Sequence, residues 1–403
     1  MSALDPRPWL EARREEMVAL LEELISIPSV TGDEGAIAQR SVEWLAGRGL
    51  QAWAAPADER WNAVGAVGEG ERSLVISGHL DTVPPADGDW THDPWTPVRE
   101  GDRVYGLGAS DMHASQVAAY FAQAWLAEEA PALDGRVWSA FTIEEETTGR
   151  GTRLLLDWWE REGLLDFGQC AAVVTEPTGL ESLCLGNRGA AFVEVELEGL
   201  SGHGSRPGSA HNPIDAVGAL LDGARALESA LAARHSHDFL GPPSVTPTSV
   251  LAGSRAGHNV IPGRARVQFD CRLTPDLWAD SMAVLREGFE ALCGAFGEPL
   301  RARYELRFPR SGQLLDPAHP LLDCMRGVLR EELRMAVPEV ANPAGNDAFL
   351  FGERSIPTIN KLGPGLPACA HRIDEYAEVE RMLRAAEIYA RLAVRWLGLR
   401  TTP

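Results

Sequence analysis

Apolar positions recur at helical spacing from residue 8 to residue 27. Leu10, Met17, Leu20, Leu21, Leu24 and Ile25 fall on one face, and Pro28 ends the run. A second helix is expected over residues 35–47. The strand-like runs at 62–67, 74–77, 136–143 and 171–175 are largely apolar. Such strands are buried on both faces, as in a parallel sheet covered by helices. Within this stretch, Gly106 and Gly108 form a turn leading into a helix from about Met112, with Val117, Ala118, Tyr120, Phe121 and Trp125 as its core positions.

Near residue 187 the pattern changes. FVEVELEG alternates apolar and acidic positions, the mark of a sheet with one wet face. A helix (212–233), a strand SVTPTSVLAG marked as an edge by Pro247, a strand ARVQFDCRL, a helix (277–296) and a strand RARYELRF follow. The order β-α-β-β-α-β is ferredoxin-like. After Pro309 the first pattern returns, with a helix over 320–333, a strand over 357–360 and a closing helix to Trp396. The expected fold is α/β. A catalytic domain with a mostly parallel mixed sheet, residues 1–186 and 311–403, is interrupted by an inserted α+β ferredoxin-like lid or dimerisation domain, residues 187–310. A chain of 403 residues is long enough for two cores.

Composition narrows the partners. With 58 acidic against 37 basic residues the net charge is -21, which excludes nucleic acid and anionic membrane surfaces and favours solubility. Lys361 is the single lysine. The six cysteines are scattered without a CxxC pair and read as reduced thiols of a cytoplasmic protein. The N-terminus lacks the basic and apolar regions of a signal peptide, and no apolar run is long enough to span a bilayer.

The chemistry gathers at strand ends. His79 and Asp81 follow the strand at 74–77, Glu144, Glu145 and Glu146 follow 136–143, and Glu176 follows 171–175. Asp111 is delivered by the glycine turn to a helix start. Each has a bland reading alone, as a loop histidine or a solvated acidic turn. Together they sit where open α/β sheets bind ligands, at the carboxyl ends of strands. With His371 they form a donor set of imidazoles and carboxylates without cysteine. That set suits zinc, manganese or cobalt, and its acids suffice for two ions with one bridging.

SGHLDTVPP, YGLGASDM, TIEEETTG, VVTEP, GLSGHGSRP with HNPI, GHNVIPG with CR, and PGLPACAH occur in this order. The chain thereby resembles, along essentially its whole length, the co-catalytic dinuclear-metal peptidase and deacylase family. That family includes acetylornithine deacetylase, succinyl-diaminopimelate desuccinylase, aminoacylase and a glutamate-releasing carboxypeptidase. The resemblance implies two divalent ions, zinc first, with cobalt or manganese as alternatives. His79, Asp111 and Glu176 would hold one ion and Asp111, Glu146 and His371 the other. Asp81 would orient His79. Glu145 would be the general base, with Glu144 standing where relatives more often have Asp. The peptide after Asp111 would be cis. His203 would reach a partner subunit's site in a homodimer, and Asn259 and Arg272 would hold the substrate carboxylate. Gly345, Asp347 and the Gly363-Pro364-Gly365 turn match site-lining loops.

The chain departs from its relatives at His113-Ala114-Ser115, where Lys-Gly-Gly is commoner, and His113 is expected to point away from the metals. Lys361 is expected to be an ordinary surface residue; the alternative is a contact for a distal substrate carboxylate. The function implied is hydrolysis of an N-acyl amino acid in amino-acid biosynthesis, acetylornithine first. The alternatives are succinyl-diaminopimelate desuccinylase and a dipeptidase or carboxypeptidase. A metal-free binding protein on the same scaffold is disfavoured because the ligands and base are all present.

Overall fold

The structure, a computed structural model, describes residues 4–130, 132–254, 257–278 and 281–400. It divides into two compact units. One comprises Met1–Gly186, Leu314–Asn342 and Asn346–Pro403; the other comprises Asn187–Gln313 and Pro343–Gly345.

The first unit is built on a five-stranded sheet. Strand β1 (Gln51–Ala57) pairs antiparallel with the first limb of β2 (Arg60–His79). The two strands expected at 62–67 and 74–77 are limbs of this one long strand. Strand β3 (Asp134–Thr142) lies between the limbs, because its partners run from Ala63↔Phe141 to Val67↔Val137 and then from Ser73↔Arg136 to His79↔Thr142. Partner numbers fall along the first limb and rise along the second, so only the second limb runs parallel to β3. The reversal needs glycine. Gly68 has φ +81°, and a Cβ there would stand 2.4 Å from the Gly135 carbonyl oxygen. Strand β4 (Cys170–Val174) is parallel to the second limb on its other side, and the short strand Thr358–Ile359 is parallel to β4. The centre of the sheet is therefore parallel, and β2, β3 and β4 end on one edge.

Helices cover both faces, which is why these strands carry apolar residues on both sides. The helix expected over 8–27 is two, α1 (Pro6–Ala12) and α2 (Arg14–Ile25), broken at Arg13, whose φ of -113° leaves the helical region. Helices α3 (Gly35–Gly47) and α4 (Ala114–Glu129) lie on one face. There Trp44 stacks on Tyr120, and the Gln123 amide donates to the carbonyls of Gly65 and Val137 on adjoining strands. Helix α5 (Arg150–Glu162) and the short helix Ala348–Glu353 cover the other, with Trp138, Leu155, Trp159, Phe349 and Phe351 in one core. Each Leu or Phe buried there contributes about 1.5–3 kcal/mol. The closing helix is Val379–Leu397.

The second unit runs β5 (Gly189–Glu198), α6 (Pro213–His235), β6 (Ser244–Ala252), β7 (Arg264–Leu273), α7 (Ser281–Gly294) and β8 (Arg301–Arg310). Residues 279–280 of the helix expected over 277–296 lie outside the described residues. The sheet order is β6-β7-β5-β8 with every pair antiparallel, the ferredoxin-like arrangement. Val193, Val195 and Leu197 of β5 enter a core with Leu220, Phe269 and Phe289. The alternating Glu194, Glu196 and Glu198 face the other way, and Glu196 pairs with Arg266 at 2.7 Å. Strand β6 is an edge, with a register shift just after Pro247.

Candidate functional site

His79 is the last residue of β2 and is buried. Its Nδ1–H donates to the Asp81 main-chain carbonyl at 2.8 Å, which leaves Nε2 to face the carboxylates. Nε2 lies 3.1 Å from Asp111 Oδ1 and 3.4 Å from Glu176 Oε1. Asp111 sits in an irregular turn, Ala109–His113, ahead of α4, and its peptide to Met112 is cis. Helix α4 thus begins two residues later than expected. The other oxygen of Asp111, Oδ2, lies 3.4 Å from His371 Nε2, which is itself 2.9 Å from Glu146 Oε1. Two trios result, His79–Asp111–Glu176 and Asp111–Glu146–His371, each with its donor atoms within 4.8 Å of one another. They share Asp111, one oxygen apiece.

The electrostatics fit divalent cations. Burial opposes ionisation of Asp111, but hydrogen bonds from His371 and His79 outweigh it and hold the carboxyl below its usual range. Hydrogen bonds to Asp111 and Glu146 push His371 up to about 10, against burial. His79 is raised as well, with Asp111 and Glu176 overcoming its burial. The carboxylate cage thus pulls protons onto both imidazoles. A metal would satisfy the same acids, and the oxygen and nitrogen donors with no thiolate suit a hard or borderline ion. An ion held by the trio that includes His371 would expel the His371 proton, so metal affinity is expected to rise with pH below about 10. Calorimetry in buffers of different ionisation enthalpy will read the released protons; a pH-independent affinity would contradict this.

Asp81 acts differently from the expected role. His79 is held by the Asp81 main chain, while Nδ1 is 3.7 Å from the carboxylate. The carboxylate accepts from Thr31 Oγ1 at 2.7 Å and from the main-chain N–H groups of Glu145 and Glu146 at 3.1 and 3.2 Å. It therefore fixes the turn after β3. The three glutamates there separate. Glu144, at φ +59°, turns to Arg60, which also holds buried Glu34. Glu146 faces His371. The half-buried Glu145 carboxyl is pushed well up, first by burial and then by the charges of Glu176 and Asp347.

One support was not foreseen from sequence. Buried Glu375 accepts the N–H groups of Ser110 and Asp111 at 2.8 and 2.9 Å, tying the aspartate shared by the two trios to the segment bearing His371. Its only signal was an acid four residues after that histidine. Gly363 and Gly365 lie against the main chain that delivers Glu176 and Asp111. A Cβ on either would come within 1.9 Å of the Thr175 oxygen or 1.8 Å of the Ser110 oxygen. Asp347 is buried and accepts from Thr152 Oγ1 at 2.6 Å. His113 is buried and stands outside both trios; burial, then the charge of His79, lowers it to about 3 and keeps it neutral. Lys361 is not the surface residue expected: its side chain is 18% exposed and its Nζ lies 3.7 Å from Glu176 Oε2.

His203, Asn259 and Arg272 belong to the second unit. His203 is exposed, with Nε2 at 3.2 Å from the Asn259 side-chain nitrogen. Gly345 also falls in that unit. The Arg272 guanidinium is held by both Asp270 oxygens, at 2.7 and 2.8 Å.

Residues 75–395 match the profile of the peptidase family M20/M25/M40. The chain belongs to that family. As an M20 protein it is a metal-dependent hydrolase acting on amide bonds. It is similar to the succinyl-diaminopimelate desuccinylase of Paracoccus denitrificans (strain Pd 1222), 30% identical over 94% of this chain and 98% of the relative. The enzyme of the same name from Bordetella petrii is 28% identical over 93% and 96%. Among solved structures, an M20 metallo-carboxypeptidase from Sulfolobus solfataricus shares the fold, with a TM-score of 0.74 at 18% identity over 95% of this chain and all 100% of that one. No helix among the described residues is long and apolar enough to cross a membrane.

Proposed function

We propose that this M20 hydrolase removes a succinyl group from the amine of an N-succinyl amino acid. The observation that carries the proposal is the end-to-end similarity to proteins named succinyl-diaminopimelate desuccinylase. The expectation of acetylornithine had no residue of its own behind it, since neither the two trios nor Arg272 distinguishes one acyl group from another.

His79, Asp111 and Glu176 would hold one divalent ion and Asp111, Glu146 and His371 a second, zinc before cobalt or manganese. Bound there, the ions would polarise the amide carbonyl and make the attacking water more acidic. Glu145, belonging to neither trio, takes the proton from that water and returns it to the leaving amine. Its raised affinity for a proton suits both halves of this task. Asp81 holds the Glu145 and Glu146 main chain in register, and Glu375 does the same for Asp111.

The test compares kcat/KM on metal-loaded enzyme for N-succinyl-diaminopimelate, N-acetylornithine and a dipeptide. The succinyl substrate is expected to lead by at least about tenfold, some 1.4 kcal/mol of transition-state binding. A lead of that size for either competitor would overturn the proposal.

A further inference from the structure

Lys361 is the only lysine among 37 basic residues, and it lies beside a metal trio. Its main chain is pinned on both sides of Cys184: Cys184 N–H donates to the Lys361 carbonyl at 3.0 Å, and Lys361 N–H donates to the Cys184 carbonyl at 3.3 Å. The side chain is largely covered, and the ammonium faces Glu176 Oε2 while Glu176 Oε1 faces His79. Glu176 is thus shared between an imidazole and an ammonium. Once Glu176 serves as a metal ligand, its charge is claimed by the ion. The Lys361 cation is then left half-buried without that counter-charge, and a substrate anion is the group that replaces it.

The residue type fits this exchange. An arginine here would grip Glu176 with a two-pronged fork and compete for it; a lysine is a point charge on a flexible stem that can turn from one anion to another. The other cation considered for a substrate carboxylate, Arg272, already has both prongs on Asp270. A succinyl amide carries its free carboxylate two methylene groups from the scissile carbonyl, on the acyl side, whereas an acetyl amide has no charge there.

We propose that Lys361 is the specificity-determining residue for the acyl group, pairing its ammonium with the distal carboxylate of a dicarboxylic acyl chain. This inference rests on the desuccinylase reading. The test uses full-length, metal-loaded wild type, Lys361→Met and Lys361→Arg, with N-succinyl and N-acetyl forms of one amine as substrates. Metal affinity and succinate binding are followed by calorimetry and folding by circular dichroism. In Lys361→Met the succinyl-to-acetyl ratio of kcat/KM is expected to fall by roughly tenfold or more, mainly through KM. Succinate binding should weaken in parallel, with metal affinity within about twofold of wild type. Lys361→Arg should recover part of the ratio. Equal losses on both substrates with weakened metal binding would overturn the inference and make Lys361 an anchor for Glu176. An unchanged ratio in a wild type that does hydrolyse the succinyl substrate would also overturn it. A wild type active on the acetyl form but inert on the succinyl form would instead overturn the desuccinylase reading itself.

Discussion

Glu145→Gln will fold and hold its metals yet turn over substrate roughly 10²–10⁴-fold more slowly. The substitution keeps size and shape, and the Asp81 carboxylate grips residue 145 by its main-chain N–H, which glutamine retains. Neither trio includes Glu145, so metal content should not change. What is lost is the carboxylate proposed to take the proton from the attacking water. The charges of Glu176 and Asp347, acting on a desolvated carboxyl, raise its proton affinity above that of an ordinary glutamate. Glu144 cannot step in, because its carboxylate is held by Arg60 at the start of β2. Metal analysis and steady-state kinetics on the same preparation decide the matter. Turnover near that of the parent would remove Glu145 from the reaction.

Asp111→Ala should have the larger effect on metal binding and abolish measurable activity. Each Asp111 oxygen serves a different trio, so one substitution opens both. Metal content is expected to fall from about two ions per chain to fewer than one. Glu146→Gln, by contrast, should weaken only the trio that contains His371. The fold should survive, since Glu375 holds residue 111 through its main-chain N–H and alanine keeps that donor. Retention of two tightly bound ions in Asp111→Ala would refute the shared-ligand arrangement.

The order in which these residues occur was legible because strand ends are legible. Apolar runs such as Leu74-Val75-Ile76 mark strands buried on both faces, and polar side chains immediately beyond them point to the edge where a parallel sheet binds ligands. The alternation in β5 likewise announced a second sheet with one wet face, and Pro247 announced its edge. The doubling of β2 around β3 was not legible. Local periodicity finds two strands there but cannot say that a third, more than 60 residues later, slots between them.

By itself, then, the sequence determined the α/β class, the inserted ferredoxin-like unit and the residue types of a carboxylate–imidazole centre, because periodicity and donor chemistry are local properties. Tertiary structure alone decided which atom each group offers to which neighbour. It gave the Asp81 carboxylate to the Glu145–Glu146 main chain, committed Glu144 to Arg60, placed Glu375 beneath Asp111 and brought Lys361 against Glu176. These contacts join segments up to 264 residues apart. They exist only because packing brings separate chain segments to one edge of the sheet, and no spacing along a chain encodes that approach.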